Sequence, residues 1–234
     1  MEPIPHRKDY IHHYQSSYAD VLKEMVFGME DGMVSTLGSI TGIAIGSGNI
    51  TVVLLAGVVI ISVEAISMGI GSYVSNVSEE EMHARMIAEE KQELRDFADA
   101  EREELKEIYI KNNWPAELSV KMAEAASQNP DLFLHEMIVH ELKIPNEKSV
   151  SLKGAVFMFF AYILGGLIPL SSYLFVSFQT AIYLSIGITL VGLFLLGIAI
   201  TKFTKAPILR SGVRMLLMGG AALLIGLLAG IFMR

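Results

Sequence analysis

Residues 50–74 read ITVVLLAGVVIISVEAISMGIGSYV, a run in which Glu64 is the only charge. About 20 apolar residues in helical form cross the hydrocarbon core of a bilayer, so this run by itself reads as a membrane segment. Working outward, a second such run lies just upstream, from about Val26 to Ile45. The turn-like Gly46-Ser-Gly-Asn49 joins the two, which makes a helical hairpin. Three more runs follow downstream: Leu152 to Leu174, Thr180 to Ile200 and Val213 to Phe232, with Pro169 expected to kink the first of these. Composition agrees, because 52% of the residues are hydrophobic and the mean hydropathy is +0.48, well above the soluble norm. Core helices of a soluble protein fit poorly, since the C-terminal third holds almost no charge outside one loop. The expected fold is therefore an all-α membrane protein with five transmembrane helices.

The charge of −7 is unevenly distributed, arising mostly between Glu79 and Glu147. Lys202, Lys205, Arg210 and Arg214 cluster between the fourth and fifth spans, whereas the loops near Asn49 and Ser177 contain no Lys or Arg. Basic loops stay on the cytoplasmic side. Counting back through the spans puts the N-terminus and the acidic middle in the cytoplasm and the C-terminus outside, and Arg7, Lys8 and Lys23 agree. Met1 to Gln15 has no apolar core and is not a cleavable signal peptide. The short termini point toward a prokaryotic plasma membrane, or a vacuolar membrane if the source is eukaryotic. No nucleic-acid partner is expected. The chain has no cysteine, so any metal must be held by oxygen, nitrogen or thioether ligands.

Three parts follow: residues 1–77 with the first two spans, a cytoplasmic helical domain over 78–148, and residues 149–234 with the last three spans. Within the middle part, Ser78 to Lys111 contains no Gly or Pro and reads as one continuous helix extending the second span into solvent. Pro115 opens a second helix to about Ser127, and Asn129-Pro-Asp131 opens a third to about Lys143.

On the first of these helices, Glu90, Glu93, Glu101 and Glu104 fall at offsets of 3, 11 and 14 positions. At about 100° per residue all four share one stripe, roughly 21 Å long at 1.5 Å per residue. Such a row can bridge a hard or borderline cation. Spacing alone leaves a solvated acidic face as the commoner explanation. The third helix adds Met137 and Glu141 one turn apart, with His140 beside them. Carboxylates with a thioether suit Fe(II) or Mn(II) better than Ca(II), although Met137 could equally pack in a small core. The string His135-Glu-Met-Ile-Val-His140 is no zinc-protease motif, because its histidines are five apart and point about 140° from each other.

Ionisable groups inside membrane segments are functional suspects by default. Glu30 and Asp31 lie near the cytoplasmic start of the first span, Glu64 lies within the second, and Met68 stands one turn beyond Glu64. With Met29 and Met33 these could line a polar path, the alternative being that Glu30 reaches the interface and the methionines face lipid.

Six segments taken together resemble the vacuolar iron transporter family over nearly the whole chain: Phe27-Gly-Met-Glu-Asp-Gly-Met33, Ser67-Met-Gly-Ile-Gly-Ser-Tyr-Val-Ser75, Glu107-Ile-Tyr109, Asn129-Pro-Asp131, Gly166-Leu-Ile-Pro169 and Arg214-Met-Leu-Leu-Met-Gly-Gly220. The resemblance implies a homodimer with five membrane helices per subunit, a three-helix metal-binding domain inserted after the second, and Fe(II) efflux coupled to proton influx. It implies carboxylate ligands at Glu90, Glu93, Glu101, Glu104 and Glu141, a contribution from Met137, and pathway positions at Asp31 and Met68. Two departures stand out. The family usually has Asn where this chain has Glu30 and Glu where it has Ser72. Glu64 occupies a position where a small residue is more typical, so the pathway acid has moved two turns along the second span.

The mechanism expected is capture of the cation on the acidic domain, transfer to Asp31, and release as protons occupy Asp31 and Glu64. Gly165, Gly166, Gly219 and Gly220 are expected to let helices pack closely. Fe(II) is the expected cargo, with Mn(II), Co(II) and Zn(II) not separable by sequence. The competing readings are a membrane-anchored diiron carboxylate oxidase of ferritin type and a metal-storage or sensor protein. The former requires Glu-x-x-His motifs on facing helices, which the chain does not offer as a pair.

Overall fold

The computed structural model describes residues 18–145 and 151–233. Arg7, Lys8 and the last residues of the expected 78–148 segment lie outside the described residues. Those described form eight helices and no strand: α1 Tyr18–Ser47, α2 Ile50–Asp96, α3 Ala98–Lys111, α4 Ala116–Ser127, α5 Pro130–His140, α6 Ser151–Phe175, α7 Phe178–Thr204 and α8 Ile208–Phe232. They divide into two compact units, residues 1–73 with 150–234, and residues 74–149.

In the first unit α1 is the inner helix, packed by α6, α7 and α8. The turn that leads out of it forms as its residues dictate. Gly48 takes φ +61°, a left-handed conformation that costs glycine little, and Asn49 caps α2 by accepting from the Thr51 amide at 2.8 Å. Four helices, α2, α6, α7 and α8, are long and apolar enough to cross a membrane. The chain is a multi-pass membrane protein. α1 is long enough, yet it does not reach that composition, because Glu30, Asp31 and a series of Gly, Ser and Thr occupy it. An inner helix packs against protein on most of its surface, so small residues that permit close approach replace bulky apolar ones.

That close approach is specific. A Cβ on Gly28 would stand 2.6 Å from the Met158 carbonyl oxygen of α6, and one on Gly32 would collide with the Tyr162 carbonyl. Gly165 meets the Met29 carbonyl in the same way, Gly166 lies against Ile61 and Thr36, and Gly219 against Leu193. Gly220 departs from expectation: nothing stands within 4 Å of where its Cβ would be, so it does not serve close packing among the described residues. Met33 also departs, since it is buried with Leu193 and Met215 and neither faces lipid nor stands free to line a path. At Pro169 the helix continues, and the Pro169 carbonyl accepts from the Ser185 hydroxyl of α7 at 2.8 Å. Membrane-buried backbone groups find such partners in neighbouring helices.

In the second unit the expected continuous helix over Ser78–Lys111 is not formed. α2 runs on to Asp96 and stops, and α3 starts at Ala98. Phe97 sits between them at φ −132° and ψ 33°; its amide donates to the Glu93 carbonyl at 2.7 Å, while its own carbonyl accepts from Ala100 and Glu101. No Gly or Pro marks this break, so tertiary packing overrides a uniformly helix-favouring stretch. The later helices begin as read: Pro115 stands at the start of α4, and the Asn129 side chain caps α5 by accepting from Asp131 and Leu132 amides at 3.1 and 3.3 Å. Leu105, Tyr109, Ala123, Ala126, Phe133 and Met137 form the apolar core of this unit.

Candidate metal centre

The buried positions of α3 are Glu101, Leu105 and Tyr109, each four residues from the last. That spacing puts a carboxylate on the same face as two core residues, where a charge is costly unless something balances it. Glu90 of α2 is more deeply buried still, with 2% of its surface exposed. Glu141, at the C-terminal cap of α5, completes the group: Glu90, Glu101 and Glu141 each offer a ligand oxygen, and these lie within 4.8 Å of one another. Glu90 Oε1 and Glu141 Oε2 are buried with no hydrogen-bond partner among the described residues.

Three inward-facing carboxylates repel. Burial, and after it the charges of Glu141, Glu101, Glu93 and Glu104, push Glu90 up to about 7. Burial followed by Glu104, Glu101 and Glu93 does the same to Glu141, also to about 7. Glu101 is raised by burial and then by Glu104 and Glu93. Each cause disfavours the ionised form, and a divalent cation among the oxygens would offset them with its opposite charge. Two ligands opposite each other on a cation with bonds of about 2.1 Å stand about 4.2 Å apart, so the oxygens are close to a coordinating arrangement.

The break at Phe97 makes the group. On a straight helix Glu90 and Glu101 would be separated by about 16 Å at 1.5 Å per residue, too far to share an ion. The stripe read from the sequence is thus bent at Phe97, which brings the Glu101 carboxylate to that of Glu90. Glu93 and Glu104 remain exposed and act on the trio through their charge. Met137 is fully buried in the apolar core, one turn before Glu141.

Sequence reasoning missed what holds α5 to α3. The Tyr109 hydroxyl donates to Glu136 Oε2 at 2.6 Å, the same oxygen lies 3.3 Å from His140 Nε2, and the Tyr109 and His140 rings meet edge to face at 5.6 Å. Tyr109 is buried, and burial together with its bond to Glu136 pushes its hydroxyl pKa up. The His135–His140 string therefore has a use after all: Glu136 and His140 secure the last turn of α5, next to Glu141.

In the membrane unit, Asp31 and Glu30 of α1 are half-buried, Asp31 within electrostatic reach of Glu64 and Glu30 within reach of Arg214. Glu64 of α2 accepts from the Ser35 hydroxyl at 2.9 Å and from the Tyr162 hydroxyl of α6, and the two hydroxyls also touch. Met68 is partly buried one turn beyond Glu64. An open cavity of about 680 Å³ runs along α1 and α8, lined by Ser35, Gly38, Ser39, Gly42, Ala222 and Gly226. Neither Ser35 nor Tyr162 was legible as a partner of Glu64, since the bonds cross 29 and 98 positions of sequence.

Comparison with known proteins adds the decisive observation: the VIT family profile matches residues 22–231, nearly the entire chain. The chain belongs to the VIT family. The resemblance read from the six segments is thereby borne out. Vacuolar iron transporter 1 of Arabidopsis thaliana is 30% identical over 216 residues, covering 90% of this chain and 86% of the relative. Vacuolar iron transporter 1 of Tulipa gesneriana is 27% identical over 225 residues, covering 94% and 91%. The Vacuolar iron transporter of Plasmodium falciparum is 28% identical, covering 92% and 83%. These relatives are named as transporters, none as an enzyme.

Proposed function

We propose that this VIT-family chain is a transporter that captures Fe(II) on its acidic helical unit and carries it across the membrane. The observation that carries the reading is the convergence of Glu90, Glu101 and Glu141 within 4.8 Å, two of them buried, with Glu90 Oε1 and Glu141 Oε2 lacking a hydrogen-bond partner among the described residues. Names of relatives at 27–30% identity support iron as the cargo. Glu93 and Glu104 supply outer negative charge, and Met137, one turn from Glu141, is placed in the sequence to offer the softer thioether that favours Fe(II) over Ca(II). Mn(II), Co(II) and Zn(II) are the competing cargoes.

In this reading α1 is a fifth span, the acidic unit and the N-terminus face the cytoplasm, and two subunits pair. Asp31, Glu64 and Met68 form the path, with Glu30 at its mouth. Each station binds weakly enough to release, and protons arriving at Asp31 and Glu64 from the far side displace the metal, so that efflux is exchanged for proton influx. Purified protein in proteoliposomes tests this. Fe(II) flux that requires an opposing pH gradient, and that falls in Asp31→Ala and Met68→Ala, supports it. Normal flux in both variants removes the pathway assignment, and metal binding with dioxygen consumption but no flux favours the diiron-oxidase reading.

A further inference from the structure

Glu64 is the one acid within residues 50–74, and the fold surrounds it with donors from two other helices. Tyr162 is fully buried, so its hydroxyl has no water to turn to and is committed to the carboxylate. Ser35 stands one turn beyond Asp31 on α1 and donates to the same oxygen, Glu64 Oε2, while also lining the cavity between α1 and α8. Both hydrogen bonds fall on Oε2, and Oε1 accepts none among the described residues. A carboxyl group held in this way has one oxygen anchored by two hydrogen bonds and one available. Metal-binding carboxylates are oriented by such outer hydrogen bonds, whose loss weakens binding without removing a ligand.

We propose that Tyr162 and Ser35 are positioning residues that fix the Glu64 carboxyl group, so that Oε1 is presented to the divalent cation as it passes. The proposal rests on the reading of Glu64 as a pathway carboxylate. It also accounts for an acid at this point on α2: the position is built to hold one, by residues on α1 and α6 that differ from the ligands themselves.

The test uses the full chain in proteoliposomes with ascorbate-reduced Fe(II) as the probe. Initial rates over a range of Fe(II) concentrations are compared for the parent, Tyr162→Phe, Ser35→Ala, Glu64→Gln and the double variant Tyr162→Phe/Glu64→Gln, each with its melting temperature in detergent. Tyr162→Phe keeps the buried ring and removes only the hydroxyl. The expected result is a KM raised at least fivefold in Tyr162→Phe and about threefold in Ser35→Ala, with maximal rate within twofold and melting unchanged. The double variant should be no worse than Glu64→Gln alone, because the hydroxyl acts only through that carboxylate. If Glu64→Gln transports normally, the pathway reading of Glu64 fails and this proposal with it. If Glu64→Gln is impaired while both hydroxyl variants keep the parent KM, the pathway reading stands and the positioning proposal is overturned. A loss that persists undiminished in the Glu64→Gln background, or that tracks a fall in melting temperature, also overturns it.

Discussion

Glu90 and Glu101 are eleven positions apart in the chain, yet their carboxylate oxygens lie within 4.8 Å of each other and of Glu141. The inner three acids of the unit are therefore distinct from the exposed Glu93 and Glu104. Replacing Glu90, Glu101 or Glu141 by Gln should each weaken metal binding by tenfold or more, about 1.4 kcal/mol or above. Glu93→Gln and Glu104→Gln should each cost less than the inner three. Isothermal titration of the purified protein with Mn(II) or anaerobic Fe(II) measures the difference, and equal losses at all five positions would show that the convergence of the inner three does not govern binding.

The raised pKa values of Glu90 and Glu141 give the metal-free unit an unusual pH dependence. Each carboxyl rises from 4.5 to about 7, so between those values the folded state holds more protons than the unfolded chain. Stability from these groups is fully present below about 4.5 and is lost as pH rises through about 7. For Glu90 the rise corresponds to on the order of 3 kcal/mol, and because the two sites are coupled their effects do not simply add. Metal affinity has the opposite sign: it strengthens as pH rises through about 7, since protons compete for the same oxygens. Melting curves at pH 5.5 and 8, with and without Mn(II), should show the metal-free protein more stable at the acid end and the metal-induced gain larger at the alkaline end.

Met137 sits where packing and coordination make different predictions. Met137→Ala leaves a cavity among Leu105, Tyr109 and Phe133 and should cost about 2–5 kcal/mol. Met137→Leu conserves volume and should cost less than about 1.5 kcal/mol. The Leu variant should nevertheless lose preference for Fe(II) over Mn(II), because it lacks sulfur. Unchanged selectivity in a stable Met137→Leu protein would leave the residue a packing role alone.

Close helix packing is equally testable. Gly32→Ala drives a methyl into the Tyr162 carbonyl of α6 and should destabilise the membrane unit by about 1–3 kcal/mol. Gly220→Ala meets nothing within 4 Å and should change stability by less than about 1 kcal/mol. Thermal melting in detergent separates them. A Gly32→Ala protein as stable as its parent would contradict the α1–α6 contact.

The sequence by itself determined the features that depend on neighbours along the chain. Apolar runs of span length placed α2, α6, α7 and α8, because hydrocarbon imposes both length and lack of charge. Gly48 with Asn49, and Asn129 with Pro130, marked the turn and the helix start, since capping is a local bond within three residues. Tertiary structure alone decided the rest. Phe97 carries no helix-breaking chemistry, and the break there accompanies the packing of Leu105 and Tyr109 of α3 against Ala123 of α4 and Phe133 of α5. The break brings Glu90 and Glu101 of the acidic stripe together with Glu141 of α5 in a compact group of three carboxylates. Likewise Glu64 was visible as an acid in a span, but its partners Ser35 and Tyr162 come from helices remote in sequence. Periodicity along one helix records which face a residue shares, and only packing between helices determines what that face meets.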